Sequence, residues 1–89
     1  MKLKIKLLPP YYKKGDPDER IFYLEGEAVD LNQLARRMAE EWRGYFNYPL
    51  IDENDLLTAE FMVNGRHAPM DTALREGDLV TVIPYIAGG

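Results

Sequence analysis

The chain has 89 residues, a formal net charge of −4 and a hydrophobic fraction of 46 %. This length accommodates one domain, since domains of about 50 to 200 residues are typical, and the apolar and aromatic content predicts a folded chain. The sequence contains no cysteine, which excludes disulfides, thiolate metal sites and a cysteine nucleophile.

The charges are unevenly distributed along the chain. Residues 1–14 hold five lysines and no acid, which leaves six arginines against fifteen carboxylates in the rest. A polyanion such as nucleic acid is therefore not expected as a partner. The N-terminal residues alternate charged with apolar side chains, so neither a signal peptide nor a membrane segment is expected, and the predicted location is cytoplasmic.

The first elements predicted along the chain form a hairpin. Leu3, Ile5 and Leu7 alternate with lysines, which is the period of a strand with one buried face. Residues 11–19 carry the glycine, aspartate and proline of a turn, and residues 21–25 predict a second strand.

A helix is predicted next. Asp30 is placed as its N-cap, and Gln33 stands at the third helical position, where it completes a capping box. Apolar residues then recur at the spacing of one buried stripe that ends at Trp42. Gly44 is predicted as the C-cap, and residues 45–57 are predicted to be a long connection with a helical turn.

The last third of the chain predicts short strands and one longer strand. Residues 58–63 and 66–68 flank Asn64-Gly65, a strong signal for a tight hairpin. Residues 69–74 predict a turn of helix. Residues 76–78 predict a tight turn into a β-branched strand at 79–83, and Pro84 is expected to end the regular pairing. The element order predicts an α+β fold with the sheet packed on one helix and the first and last strands paired at its centre.

The C-terminal residues carry the main functional hypothesis. Two glycines, Gly88 and Gly89, allow a backbone to pass through a narrow channel in another protein, because glycine has no Cβ. A terminal carboxylate on Gly89 is ionised at neutral pH and could attack the α-phosphate of ATP without a general base. Tyr85, Ile86 and Ala87 precede the two glycines, and they are predicted to contact the walls of the partner's channel.

These residues resemble the β-grasp sulfur carriers related to ubiquitin, and most closely the small subunit of molybdopterin synthase. The resemblance rests on the following positions: Phe61-Met62-Val63-Asn64-Gly65, Leu74, Gly77-Asp78-x-Val80, Pro84 and Ala87-Gly88-Gly89. It implies a β-grasp domain over residues 1–84 with a mixed sheet on one main helix, followed by a flexible tail over residues 85–89.

The resemblance also implies a function. Gly89 would be adenylated by a partner of the ubiquitin-activating type, which uses ATP, and then converted to a thiocarboxylate whose sulfur goes to a pterin precursor. The tail would insert into the large subunit of molybdopterin synthase or an equivalent acceptor enzyme. No bound cofactor is implied, and the chain would donate sulfur without being an enzyme by itself.

Three other functions remain open at this stage. Besides a carrier for molybdopterin or a related tungsten-pterin cofactor, the chain could carry sulfur in the thiamine pathway, could be a modifier that forms isopeptide bonds through Gly89, or could be an interaction domain with an inert tail. Strand alternation turns Thr81 and Ile83 away from the core, and with Met62 they form a predicted partner-docking surface. With one histidine, His67, and no cysteine, a transition-metal site is not expected.

Overall fold

A computed structural model of the chain describes residues 1–13, 15, 17–26 and 29–84. Within these residues the elements in chain order are β1 (Lys2–Leu7), β2 (Glu19–Tyr23), α1 (Leu31–Glu41), β3 (Ala59–Val63), β4 (Arg66–His67) and β5 (Leu79–Pro84).

The alternating N-terminal pattern forms β1, and its apolar residues lie in the core. Leu3, Ile5 and Leu7 are fully buried, while the lysines between them point to the other face. β2 pairs antiparallel with β1 over residues 19–23, two residues earlier than the predicted strand at 21–25. The difference arises because Glu19 is the Cα partner of Lys6, so the ladder continues toward the turn.

The five strands form one mixed sheet in the order β2-β1-β5-β3-β4. β1 and β5 are parallel neighbours, and the other pairs are antiparallel. The first and last strands therefore lie side by side within the sheet, as predicted. With one helix packed against one face, this is the α+β, β-grasp fold expected from the sequence.

The start of α1 forms as predicted. The Gln33 N–H donates to Asp30 Oδ1 at 2.9 Å, and the Asp30 N–H donates to Gln33 Oε1 at 2.9 Å, which completes the capping box. Two further N–H groups of the first turn, on Leu31 and Asn32, donate to the main-chain oxygens of Thr72 and Met70. The helix N-terminus is thus satisfied by both its own cap and a distant loop.

The predicted end of the helix is wrong. α1 ends at Glu41, and Trp42 is the C-cap with its N–H donating to the Met38 oxygen at 2.8 Å, so Gly44 lies beyond the cap. The Trp42 ring packs edge-on against Phe22, with centroids 5.1 Å apart. We infer that this aromatic contact with β2 fixes where the chain leaves the helix.

The connection between α1 and β3 contains no helical turn within residues 45–57, contrary to the prediction. It is anchored by other contacts: the Asn47 N–H donates to the Tyr11 oxygen at 2.9 Å, and Ile51 and Leu57 form an isolated bridge. Arg36 of α1 donates to Asp55 Oδ1 at 2.9 Å. Hydrogen bonds therefore join the 45–57 connection to α1, through Arg36, and to the segment after β1, through Tyr11.

The Asn64-Gly65 hairpin forms as predicted, with positive φ at both residues, as a type I′ turn requires. Residues 69–74 do not form the expected turn of helix. The Leu74 N–H instead donates to the Val29 oxygen at 2.9 Å, and Ala73 bridges to Asp30, because this segment pairs with the entry to α1.

β5 is one residue longer than predicted. Its last residue, Pro84, is the Cα partner of Ala59, so the proline lies within the ladder and not after it. A proline is tolerated at the end of a strand, where its missing N–H breaks no further ladder bond.

Candidate functional site: the end of the central strand and the open sheet face

The predicted reactive tail begins where β5 ends. Tyr85, Ile86, Ala87, Gly88 and Gly89 lie outside the described residues, so their roles remain predictions. β5 itself is held on both sides, by β1 and by β3, and its inward residues Val80 and Val82 are fully buried. Whatever follows Pro84 therefore starts from a rigid element of the fold.

The three predicted docking residues share one face of the sheet. Met62 of β3 lies directly opposite Thr81 of β5, and Ile83 lies opposite Glu60 in the same register. All four side chains are half-buried and face away from the helix. The structure thus brings the predicted patch together, while its part in binding a partner stays a prediction.

A histidine and a carboxylate border this patch. His67 of β4 pairs with Met62, and its Nε2 lies 3.2 Å from Glu60 Oε2. The His67 side chain is largely exposed, as expected from its place after a tight turn. Among the described residues, no three acidic, histidine or cysteine side chains are grouped so as to hold a metal ion.

The other half of the open face was missed by sequence reasoning. We define the basic half-face as Lys2 and Lys4 of β1 with Ile21 and Tyr23 of β2, whose Cα atoms pair as Lys2–Tyr23 and Lys4–Ile21. All four side chains are exposed, Tyr23 to 71 %. The signal was present in the alternation of lysines and in the outward parity of the residues flanking Phe22.

A groove lies on the opposite, helix side of the molecule. It has a volume of about 690 Å³ and runs between α1 and the 45–57 connection, with Phe46 and Leu50 among its apolar residues. Arg36 and Asp55 on its rim bind each other at 2.9 Å. Of the described residues predicted as functional, Met62, Thr81 and Ile83 do not line this groove.

Within the part of the chain that the structure describes, no helix has the length and apolarity required to cross a lipid bilayer.

Solved structures with the same fold are ubiquitin-like proteins. The chain is similar to small archaeal modifier protein 1 from Haloferax volcanii, with 14 % identity over 96 % of this chain and 98 % of that one and a TM-score of 0.73. It is also similar to a putative molybdopterin converting factor, subunit 1, from Pyrococcus furiosus, with 23 % identity over 96 % and 98 % of the two chains and a TM-score of 0.72.

A third similar structure is a complex of subunits 1 and 2 of the molybdopterin-converting factor from Helicobacter pylori. The identity is 20 % over 100 % of both chains, and the TM-score is 0.57. At these identities the likeness shows the fold. No relative was found among curated protein sequences.

The strand order and the single helix packed on one sheet face define a β-grasp, ubiquitin-like fold within the described residues. A family model narrows the class further, because the model of the ThiS family matches residues 22–89, which is most of the chain. The chain belongs to the ThiS family. Small carriers of this kind are generally not catalytic by themselves.

Proposed function

We propose that this chain is a sulfur carrier whose Gly89 carboxylate is adenylated and then converted to a thiocarboxylate. The observation that supports the proposal most strongly is the extent of the family match, which includes both glycines of the tail. In the proposed cycle a carboxylate oxygen of Gly89 attacks the α-phosphate of ATP and displaces pyrophosphate. A hydrosulfide equivalent then displaces AMP, which leaves sulfur on the main-chain carboxyl group.

The proposed acceptor is a precursor of molybdopterin or of a related tungsten-pterin cofactor. The large subunit of a molybdopterin synthase, or an equivalent acceptor enzyme, would receive the tail and supply the groups that act on the pterin. The five residues after Pro84 span up to about 17 Å when extended, which is long enough to reach a recessed active site. The chain itself would serve as co-substrate, with ATP bound by the adenylating partner.

The position of β5 is consistent with this role. A tail that must enter a partner's channel is best presented by a rigid element, because loose presentation would cost conformational entropy on binding. Val80 and Val82 are fully buried and hold β5 in the core, and half-buried Met62 and Thr81 pair on the open face, with Thr81 three residues before β5 ends at Pro84. These features would allow one partner to bind the open sheet face and the tail at the same time.

Intact mass spectrometry of the protein isolated from its own cells tests the proposal, with fragmentation to locate any change. Replacement of one oxygen by sulfur at Gly89 is the expected result for a carrier. An isopeptide bond from Gly89 to a lysine would show a protein modifier instead. Co-purification with a thiazole synthase, and not with a molybdopterin synthase subunit, would move the acceptor to the thiamine pathway.

A further inference from the structure

The open face of the sheet is divided into two halves of different chemistry. The half formed by β3, β4 and the end of β5 carries Glu60, His67 and the predicted docking patch. The half formed by β1 and β2 carries lysines beside exposed apolar side chains. The chain as a whole has a net charge of −4, so a basic surface here runs against its overall charge.

The three outward lysines of β1, of which Lys2 and Lys4 belong to the basic half-face, differ in whether an acidic residue lies opposite them. Lys6 lies opposite Glu19, an acidic cross-strand neighbour. Lys2 and Lys4 lie opposite Tyr23 and Ile21, an aromatic and an aliphatic residue without a carboxylate. Within the described residues, neither Lys2 nor Lys4 has a carboxylate within 4.0 Å of its ammonium group.

Two residues next to β1, Glu76 and Leu79, show what surrounds Lys2 and Lys4. The Glu76 carboxylate lies near Lys2 and accepts the main-chain N–H of that residue through both oxygens, at 3.0 Å each, but within the described residues it forms no ion pair with the Lys2 ammonium group. On the other side of Lys4, β5 presents Leu79 as the Cα partner. The residues paired with Lys2 and Lys4 in the neighbouring strands are therefore Tyr23, Ile21 and Leu79, none of which carries a carboxylate.

We propose that the basic half-face binds an acidic surface of the adenylating partner, with Lys2 and Lys4 contacting carboxylates and Ile21 and Tyr23 contacting an apolar residue between them. The inference rests on the proposed function, since it concerns how that partner recognises this chain. Lys2 and Lys4 are two residues apart on a strand, so their side chains emerge about 7 Å apart, and the partner's carboxylates would be similarly spaced.

The basic half-face is suited to partner binding because its backbone is held in place and its charge is opposite to that of an acidic surface. β1 is paired on both sides, so the lysines project from a backbone that needs no ordering when the partner binds. Complementary charges accelerate encounter and select partners, and exposed apolar neighbours add area that is dehydrated on binding. An acidic partner surface would otherwise be repelled by the carboxylate-rich remainder of the chain.

The test measures ATP–pyrophosphate exchange by the adenylating enzyme of the source organism, with this chain as the varied substrate. We expect the double variant K2E/K4E to raise the KM for the chain about tenfold with kcat unchanged, because a docking contact contributes equally to ground-state and transition-state binding. The increase should shrink in high salt, which screens exposed charges. K2R/K4R, which keeps both charges, should retain the wild-type KM.

Arg66→Glu is the matched control. Arg66 is exposed and pairs with Val63, so it lies on the other face of the same sheet, and its reversal changes the charge by the same amount per site. A KM for K2E/K4E equal to that of R66E would overturn the inference while leaving the proposed function intact. If the wild-type chain supported no ATP–pyrophosphate exchange, the proposed function would be contradicted, and this inference, which rests on it, would be contradicted as well.

Discussion

Asn64 and Asp78 are joined by a hydrogen bond of 2.9 Å from Nδ2 of the amide to Oδ1 of the carboxylate. The Asn64 Oδ1 also accepts the N–H of Leu79 at 2.9 Å. Asn64 therefore does more than occupy the first position of a type I′ turn. It ties the β3–β4 hairpin to the start of β5, the strand that precedes the tail predicted to be reactive.

Replacing Asn64 by glycine should separate these two roles. Asn64→Gly keeps the positive φ that the turn needs but loses both side-chain hydrogen bonds, and we expect a loss of about 1 to 2 kcal/mol in the free energy of unfolding. Urea denaturation measures this as a lower midpoint. Asn64→Asp should lose more at neutral pH, because its carboxylate would face Asp78. An unchanged midpoint for Asn64→Gly would show that the two bonds add nothing to stability.

The capping box of α1 predicts a second stability effect. Asp30→Ala removes the oxygen that accepts the Gln33 N–H, and we expect a loss of about 1 kcal/mol, measured by thermal or urea unfolding. Asp30→Asn keeps an acceptor at this position and should lose less. Equal losses in the two variants would mean that charge at the helix start, and not the hydrogen bond, accounts for the effect.

Tyr11 predicts a dependence of stability on alkaline pH. Burial raises the pKa of the Tyr11 phenol, although its hydrogen bond to Thr58 opposes that shift and nearby Tyr48 adds to it. Since the folded pKa lies above the unfolded one, the stabilisation is complete below pH of about 10 and is lost as the pH rises through the folded pKa.

The variant that tests this effect is Tyr11→Phe. At pH of about 7 it should lose about 1 kcal/mol, because the Tyr11 hydroxyl donates to the Thr58 oxygen at 3.0 Å. The wild-type advantage over Tyr11→Phe, measured by urea denaturation at a series of pH values, should shrink above pH of about 10. A difference that stays constant across this range would contradict the assigned cause.

The predicted docking patch leads to a fourth experiment. Met62→Glu places a charge beside Thr81 on the open face and should raise the KM in pyrophosphate exchange several-fold, with a stability change of about 0.5 kcal/mol or less. Leu56→Glu is a suitable control, because Leu56 is exposed to 61 % on the connection that packs along the helix. Equal KM values for the two variants would show that Met62 is not part of the docking surface.

Local patterns were sufficient to predict most of the fold. Period-two alternation in β1, the Asp30 capping box and the Asn64-Gly65 turn each depend on neighbours within a few residues, and all three formed as expected. The errors occurred where distant contacts decide the structure. α1 ends at Glu41, where Trp42 packs against the distant Phe22, and residues 69–74 pair with the helix entry instead of forming a helical turn.

In the candidate site, too, local patterns were enough to predict some features, while others depend on contacts between distant residues. Strand parity was enough to place Met62, Thr81 and Ile83 on one face. The basic half-face required knowing which β2 residue pairs with which lysine, and this depends on the register across the hairpin. The predicted strand at 21–25 contained Ile21 and Tyr23 but did not define that register.

The central claim is that the carboxylate of Gly89 is the reacting group. The most direct measurement compares ATP–pyrophosphate exchange between the full chain and a variant that lacks Gly89, after both have been matched for thermal stability. We expect the deletion to abolish exchange while the melting temperature stays nearly unchanged, because terminal residues of a domain in general contribute little to its stability. Exchange by the shortened chain at the wild-type rate would contradict the claim.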